Sequence, residues 1–410
     1  MRLVCGLLLT LVSIHAEGIP RDEYRTRRAE LRKSLDGVMV LIGNKESDDL
    51  RQDYLQETNF VYLSGWHEPG AVMLLSKKEE ILFLPDRNLR QENFTGRRLG
   101  PDDADAPQKT GFEKVLPKSA IEAAFLRLSE SANRVYTLPG QAEAQKLAAL
   151  APLHEADSAL LPIAKLRMIK SPAEIELLTK ASEASVAAHL AAWKMIRAGI
   201  YEYEVAAKMM ATYHALGCEG NAYSPIVGSG HNSTILHYMS NRRRIDSGEV
   251  LLMDVGAECS DYASDVTRTV PINGKFTPRQ REIYEIVLGA QKAAIAAIKP
   301  GVRMRGEKSL NQIATDYINS HGKDLHGESL GKYFTHGLSH HVGLDVHDPN
   351  DPGAALKAGM VITIEPGIYI PEENIGVRIE DTVLVTESGS KNLSGALPRE
   401  VDEIEKLVGK

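Results

Sequence analysis

At 410 residues the chain is longer than a single hydrophobic core usually supports, so two domains are expected. Hydrophobic residues at 43 % and charged residues at 25 % describe a folded globular protein rather than a disordered or fibrous one. The formal net charge of −7 argues against a nucleic-acid partner; the one basic cluster, Arg242-Arg243-Arg244, is followed by Asp246 and Glu249 and reads as a solvated turn.

At the start of the chain, Arg2 precedes an apolar run over 3–14, then Ala16, then polar sequence from Glu17. That is the order of a signal peptide, and the run is too short to span a bilayer comfortably. The expectation is export, with cleavage after Ala16 and a secreted or periplasmic mature chain without a stable membrane anchor. Cys5 would leave with residues 1–16, so Cys218 and Cys259 would remain. The sequence leaves open whether those two are bridged. Neither stands in a recognisable nucleophile setting, so no thiolate mechanism is indicated.

Residues 17–160 alternate short apolar runs with turns. The pattern predicts strands over 38–42, 72–75, 81–84 and 135–138, helices over 119–128 and 141–150, and a loop rich in proline and acid over 99–107. This is a smaller α/β domain with no catalytic constellation. A boundary near 161–170 opens a second domain, 161–410. Ser171-Pro172-Ala173-Glu174 combines a helix N-cap, proline at the first helical position and glutamate three residues after the cap. Ile175, Leu178, Val186, Leu190, Trp193 and Ile196 keep helical spacing from there until Gly199. Thr277-Pro278-Arg279-Gln280 opens another helix, which must stop at Pro300-Gly301.

The second domain repeats itself. Ile196-Arg197-Ala198-Gly199-Ile200 echoes Ile298-Lys299-Pro300-Gly301-Val302. The segment 247–256, ending Met253-Asp254-Val255-Gly256, echoes 358–367, ending Ile364-Glu365-Pro366-Gly367. Asp254 and Glu365 fall at the same place in the two copies, and a second acid follows each: Asp265 before Val266-Thr267, and Glu380 before Asp381-Thr382. Two related halves, each presenting two carboxylates from a β-hairpin, would bring four acids to one seam.

Any one of these acids, taken alone, reads as a solvated or salt-bridged strand end. Their matching places in a repeat, at the ends of strands that look buried, favour a metal site instead, because a buried carboxylate is costly unless paired or ligating. Between the halves lies a segment, 336–348, containing His336, His340, His341 and His347. One histidine joined to four carboxylates makes a site with four negative charges, which two divalent cations neutralise and one does not. Oxygen-rich ligation with one imidazole and no thiolate suits Mn²⁺, with Co²⁺, Fe²⁺ and Zn²⁺ as alternatives. A pair of such ions can hold a bridging hydroxide and polarise a carbonyl, the chemistry of amide hydrolysis.

Ile235-Leu236-His237-Tyr238, the stretch from Asp254 to Asp265, the histidine-rich segment, Ile364-Glu365-Pro366-Gly367 and Val377-Arg378-Ile379-Glu380-Asp381 together resemble the pita-bread metallopeptidases. That family includes methionine aminopeptidases, Xaa-Pro aminopeptidases and Xaa-Pro dipeptidases. Asn59-Phe60-Val61-Tyr62-Leu63-Ser64-Gly65, in the first domain, resembles the proline-specific branch; methionine aminopeptidases generally lack such a domain. The resemblance implies an α+β catalytic domain and a peptidase that cleaves between an N-terminal residue and a following proline. Asp254, Asp265, His340, Glu365 and Glu380 would be the metal ligands, with Asp265 and Glu380 bridging. Glu365 would also shuttle a proton, and His347 would hydrogen-bond the scissile carbonyl. His237 and His336 would wall the proline pocket, and Arg378 would support the site or contact substrate. His341 would be structural. A homodimer or homotetramer is the assembly the resemblance suggests. The chain departs from the cytoplasmic aminopeptidase pattern after Tyr238, where Met239-Ser240-Asn241 and the arginine run replace acids. The nearest rival activity is that of an Xaa-Pro dipeptidase. A metal-free binding protein on the same fold would be expected to have lost a ligand, and a dehydrogenase would need a glycine-rich loop that is absent.

Overall fold

The computed structural model describes residues 18–409, apart from 48, 50, 52 and 153; the expected signal peptide lies outside the described residues. Six strands build the first sheet: β1 (Gly37–Ile42), β2 (Val72–Leu75), β3 (Glu80–Leu84), β4 (Lys114–Pro117), β5 (Arg134–Thr137) and β6 (Glu155–Ser158), in the order β4-β3-β2-β1-β5-β6. Side chains alternate across a strand, so each central strand feeds two cores. Val38, Val40, Val72, Leu74, Ile81 and Phe83 pack with Phe125, Leu128, Ala144 and Leu147 of the helices Ile121–Ser129 and Ala142–Ala148. Met39, Leu41, Met73, Leu75, Leu82 and Leu84 face the other way, into a cluster shared with Phe60, Leu63, Val342, Leu344 and Val361. The histidine-rich segment is therefore built into the same core as the N-terminal sheet.

The central strands fall where the sequence predicts them. The edge strands β4 and β6 are only four residues long; β6 is polar and mostly exposed, and the two apolar residues of β4, Val115 and Leu116, pack one on each core but are too few to show an alternation. A short helix, Ala106–Thr110, interrupts the end of the expected loop over 99–107. The helix Arg21–Ser34 is also unforeseen. Its buried face is made by Arg27, Arg28 and Leu31, so its inward positions look polar. Arg28 lies 3.8 Å over the Phe112 ring, donates to the carbonyls of Leu63 and Gly111, and pairs with Glu80.

The helix Pro172–Trp193 begins with the expected reciprocal cap: Ser171 accepts from the Glu174 backbone, and Glu174 accepts from the Ser171 backbone. Pro278–Ala296 begins the same way on Thr277 and Gln280. These helices pack against two antiparallel units that carry the repeated sequence. In one, Val250–Asp254 pairs with Thr267–Pro271, setting Asp254 opposite Thr267; in the other, Val361–Ile364 pairs with Asp381–Val385, setting Ile364 opposite Asp381. Cys218 and Cys259 form a disulfide across 41 residues of sequence. Closing a loop of that size constrains the unfolded chain by an amount worth about 4 kcal/mol. Among the described residues, no helix is long and apolar enough to cross a membrane.

Candidate active site

The two hairpins are stapled to one another at the ends that carry the acids. The Glu380 backbone N–H donates to the Thr267 carbonyl, and the Asp265 backbone N–H donates to the Thr382 hydroxyl. Arg268 and Asp381, both fully buried, form a 2.7 Å ion pair across the seam, and Arg268 also donates to the Glu380 carbonyl. This fixes the backbone on which Asp265 and Glu380 stand. Asp254 ends its strand on one side, and Glu365 follows its strand on the other.

His340 faces the acids. Its Nδ1 lies 3.1 Å from the His341 carbonyl, an arrangement in which Nδ1–H donates and turns Nε2 toward the acids, where a cation that displaced its proton would find it as a ligand. That Nε2 lies 3.3 Å from Asp265 Oδ2 and 3.6 Å from Glu365 Oε1. Ligand atoms of Asp265, His340 and Glu380 all fall within 4.8 Å of one another. All five residues singled out as metal ligands line one cavity of about 470 Å³, with His237, His336, His347 and Arg378. His341 points away: it is 1 % exposed and its backbone pairs with Ile362.

Electrostatics in this cavity are severe. Burial, with repulsion from Asp265, Glu365 and Asp254, pushes the Glu380 carboxyl well above its usual range. Burial pushes Glu365 up to about 7, with His340 and Arg378 opposing and Asp265 and Asp254 adding repulsion. Asp254 is also raised, chiefly by burial. For Asp265, burial acts upward, but the hydrogen bond and charge of His340 hold it below the usual value. The same contacts carry His340 up to about 9 against the opposing effect of burial.

Two features show that a cation fits here. Thr267 donates to Glu380 Oε2, but Oε1 is buried without a partner. The Tyr223 hydroxyl lies 2.6 Å from both Asp254 Oδ1 and Asp265 Oδ1, and its single proton serves one of them at a time. Carboxylate oxygens left in this condition are what a divalent ion satisfies. The donor set of Asp254, Asp265, His340, Glu365 and Glu380 therefore fits divalent metal.

The surrounding residues divide by role. Arg378 is 3 % exposed and fully engaged: Nη2 donates to Asp254, Nη1 to the Tyr369 hydroxyl and Nε to Thr267. His336 Nε2 meets the same Tyr369 hydroxyl at 2.8 Å, and burial pushes its imidazole down to about 4, so it is neutral. His347 is exposed to the cavity, with its ring edge-on to His340 at 4.2 Å between centroids. His237 comes from a different segment on the same wall. In the arginine run, Arg242 and Arg244 face solvent, while Arg243 turns in to pair with Asp246 and Glu249. Sequence reasoning missed Tyr223, Tyr369 and Arg305, which also touch this site. None stands in a charge pattern or repeat that would have marked it; Thr267 lies in the repeat, but its bond to Glu380 is not written there.

The model for metallopeptidase family M24 matches residues 176–387, and that for the aminopeptidase P N-terminal domain matches residues 24–136. The chain is 34 % identical to the Xaa-Pro aminopeptidase of Escherichia coli K12, over 95 % of this chain and 98 % of the relative. It is 41 % identical to an Xaa-Pro dipeptidase of Pyrococcus horikoshii over a shorter stretch, 82 % of this chain and 90 % of the relative. The solved structure of E. coli aminopeptidase P with the inhibitor Pro-Leu superposes with a TM-score of 0.85 at 32 % identity, covering 95 % of this chain and 98 % of that one. That likeness carries the expected pita-bread architecture. With its four seam carboxylates and facing histidine, the chain belongs to metallopeptidase family M24, preceded by an aminopeptidase P N-terminal domain.

Proposed function

We propose that this chain is an Xaa-Pro aminopeptidase that hydrolyses the bond between an N-terminal residue and a following proline with two divalent ions, Mn²⁺ in the native enzyme. The convergence of four buried carboxylates and His340 on one cavity carries the reading. Asp265 and Glu380, one from each hairpin, would hold the ions together with Asp254, His340 and Glu365. When bound, the ions supply Lewis-acid polarisation of the scissile carbonyl and an acidified attacking water. Glu365 accepts the proton and passes it to the leaving proline nitrogen. His347 donates to the carbonyl oxygen as negative charge develops there. His336 and His237 wall the space for the proline ring, and Arg378 holds Asp254 in place.

The identity to an Xaa-Pro dipeptidase supports a second reading with the same chemistry. Purified enzyme with Xaa-Pro dipeptides and with longer Xaa-Pro peptides separates the two. Release of the first residue from peptides of three residues or more, at least as fast as from dipeptides, is expected; hydrolysis confined to dipeptides would favour the second reading.

The division into 17–160 and 161–410, export with removal of residues 1–16, and a homodimer or homotetramer complete the proposal. The signal-like order from Arg2 to Ala16 supports export. Mass spectrometry of protein from the native cell should find a chain beginning near Glu17; soluble cytoplasmic protein starting at Met1 would count against it.

A further inference from the structure

A peptide bound in this cavity must end somewhere, and the cavity wall contains a cation with nothing to hold. Among the described residues that line it, Arg305 and Arg378 carry the fixed positive charges. Arg378 is committed to Asp254, Tyr369 and Thr267, and it is buried among them. Arg305 is exposed and has no carboxylate within ion-pair distance among the described residues.

The backbone that bears Arg305 is nevertheless fixed. The Asn311 backbone N–H donates to the Met304 carbonyl, and the Leu338 backbone N–H donates to the Asn311 side chain. Ser339 also donates to the Met304 sulfur. The segment is thereby tied both to the helix Leu310–Ser320 and to the stretch that leads into His340.

The side chain has a seat as well. Its guanidinium lies against Gly337, with one nitrogen 3.1 Å from where a Cβ would stand. Any side chain at 337 would press on the guanidinium, and glycine leaves the approach open. Gly337 adjoins His336, the residue assigned above to the proline pocket, and Arg305 lines the same cavity as both.

We propose that Arg305 receives the C-terminal carboxylate of short peptides bound in the catalytic cavity, beyond the proline. This rests on reading the cavity as a peptidase site. Guanidinium and carboxylate match as a two-pronged, charge-assisted pair, and the cavity offers no other uncommitted cation among its described lining residues. Arg305 therefore biases the enzyme toward short peptides with a free C-terminus over chains that continue past the cavity.

The test compares Pro-Leu with Pro-Leu amide by titration calorimetry on the metal-loaded full chain. Ala-Pro-Leu and its amide are followed as substrates in parallel. Wild-type protein should bind the acid about tenfold more tightly than the amide, and raised salt should shrink the difference. In Arg305→Ala the ratio should fall to about one, with the loss on the acid substrate in KM rather than kcat. Arg305→Lys should keep part of the preference, because the charge stays and the fork is lost. Equal wild-type affinity for acid and amide overturns the proposal, as does an Arg305→Ala variant that weakens both alike. A wild-type enzyme that shows the binding contrast but cleaves neither tripeptide overturns the peptidase reading and leaves the carboxylate site standing.

Discussion

Arg167 Nη2 lies 2.6 Å from Asp348 Oδ1, and each side chain is only 1 % exposed. Arg167 also donates to Asn59 of the helix Thr58–Ser64 and to Asp345, while Lys170 meets the other Asp348 oxygen at 3.0 Å. Asp348 follows His347, and its backbone N–H donates to the His341 carbonyl. One buried guanidinium thus ties the N-terminal half of the molecule to the turn that presents His340 and His347.

Breaking this pair from one side should be costly, because a charge is left buried without its partner. Arg167→Met is expected to lower unfolding stability by about 3–5 kcal/mol and to reduce kcat/KM through displacement of His347. The double variant Arg167→Met with Asp348→Leu should lose less than the sum of the two single variants. A denaturant-unfolding cycle measures the coupling, and additive losses would mean that the two residues do not act together.

His347 and Glu380 should fail in different ways. His347→Ala is expected to lower kcat by about 10²–10³ while metal content stays near that of the parent protein, since its proposed role is at the developing oxyanion. Glu380→Ala removes a carboxylate proposed to hold both ions and should empty the site. Elemental analysis beside steady-state kinetics distinguishes the two; loss of metal from His347→Ala would reverse the histidine assignments.

Chelation should abolish activity, and Mn²⁺ or Co²⁺ should restore it. The same additions should raise the melting temperature of the stripped protein, because an ion that binds the folded state alone stabilises it. Thermal scans with and without Mn²⁺ provide a readout independent of turnover; active protein that contains no metal would end the two-metal reading.

Glu258, on the strand Ala257–Cys259, offers a pH test away from the metal ligands. Burial, then repulsion from Asp261, Glu219 and Asp345, pushes its carboxyl up to about 7. A raised carboxyl favours folding when protonated, so wild-type stability should fall relative to Glu258→Gln as pH rises from about 4.5 to 7. The variant should match the parent near pH 4 and exceed it by on the order of 1–2 kcal/mol above pH 7, after allowance for solvent screening. Equal melting curves at both ends of that range would show that the carboxyl titrates normally.

Much of the site could be read from the chain because its chemistry is written in local pattern. Asp254 and Glu365 end apolar strands at matching places in a repeat, and four histidines crowd 336–348. The capped helices starting at Pro172 and Pro278 were equally legible, since a cap is a contact between residues three apart. The helix Arg21–Ser34 was not, because its buried arginines look like surface until Glu80, Phe112 and the Leu63 carbonyl come into place.

The sequence by itself determined which residue types meet: carboxylates from two hairpins and an imidazole from the segment between them. Only the tertiary structure decided how each is supported. Tyr223 reaches both Asp254 and Asp265, Arg378 spends its donors on Asp254 and Thr267, and Arg305 has no ion-pair partner among the described residues. Contacts between residues dozens or hundreds of positions apart depend on how the sheets and helices pack, and no periodicity in the chain records them. The bond between Cys218 and Cys259 was settled on the same ground: bonding requires two Cα atoms within a few ångströms, here 4.3 Å, and that distance is set by the fold.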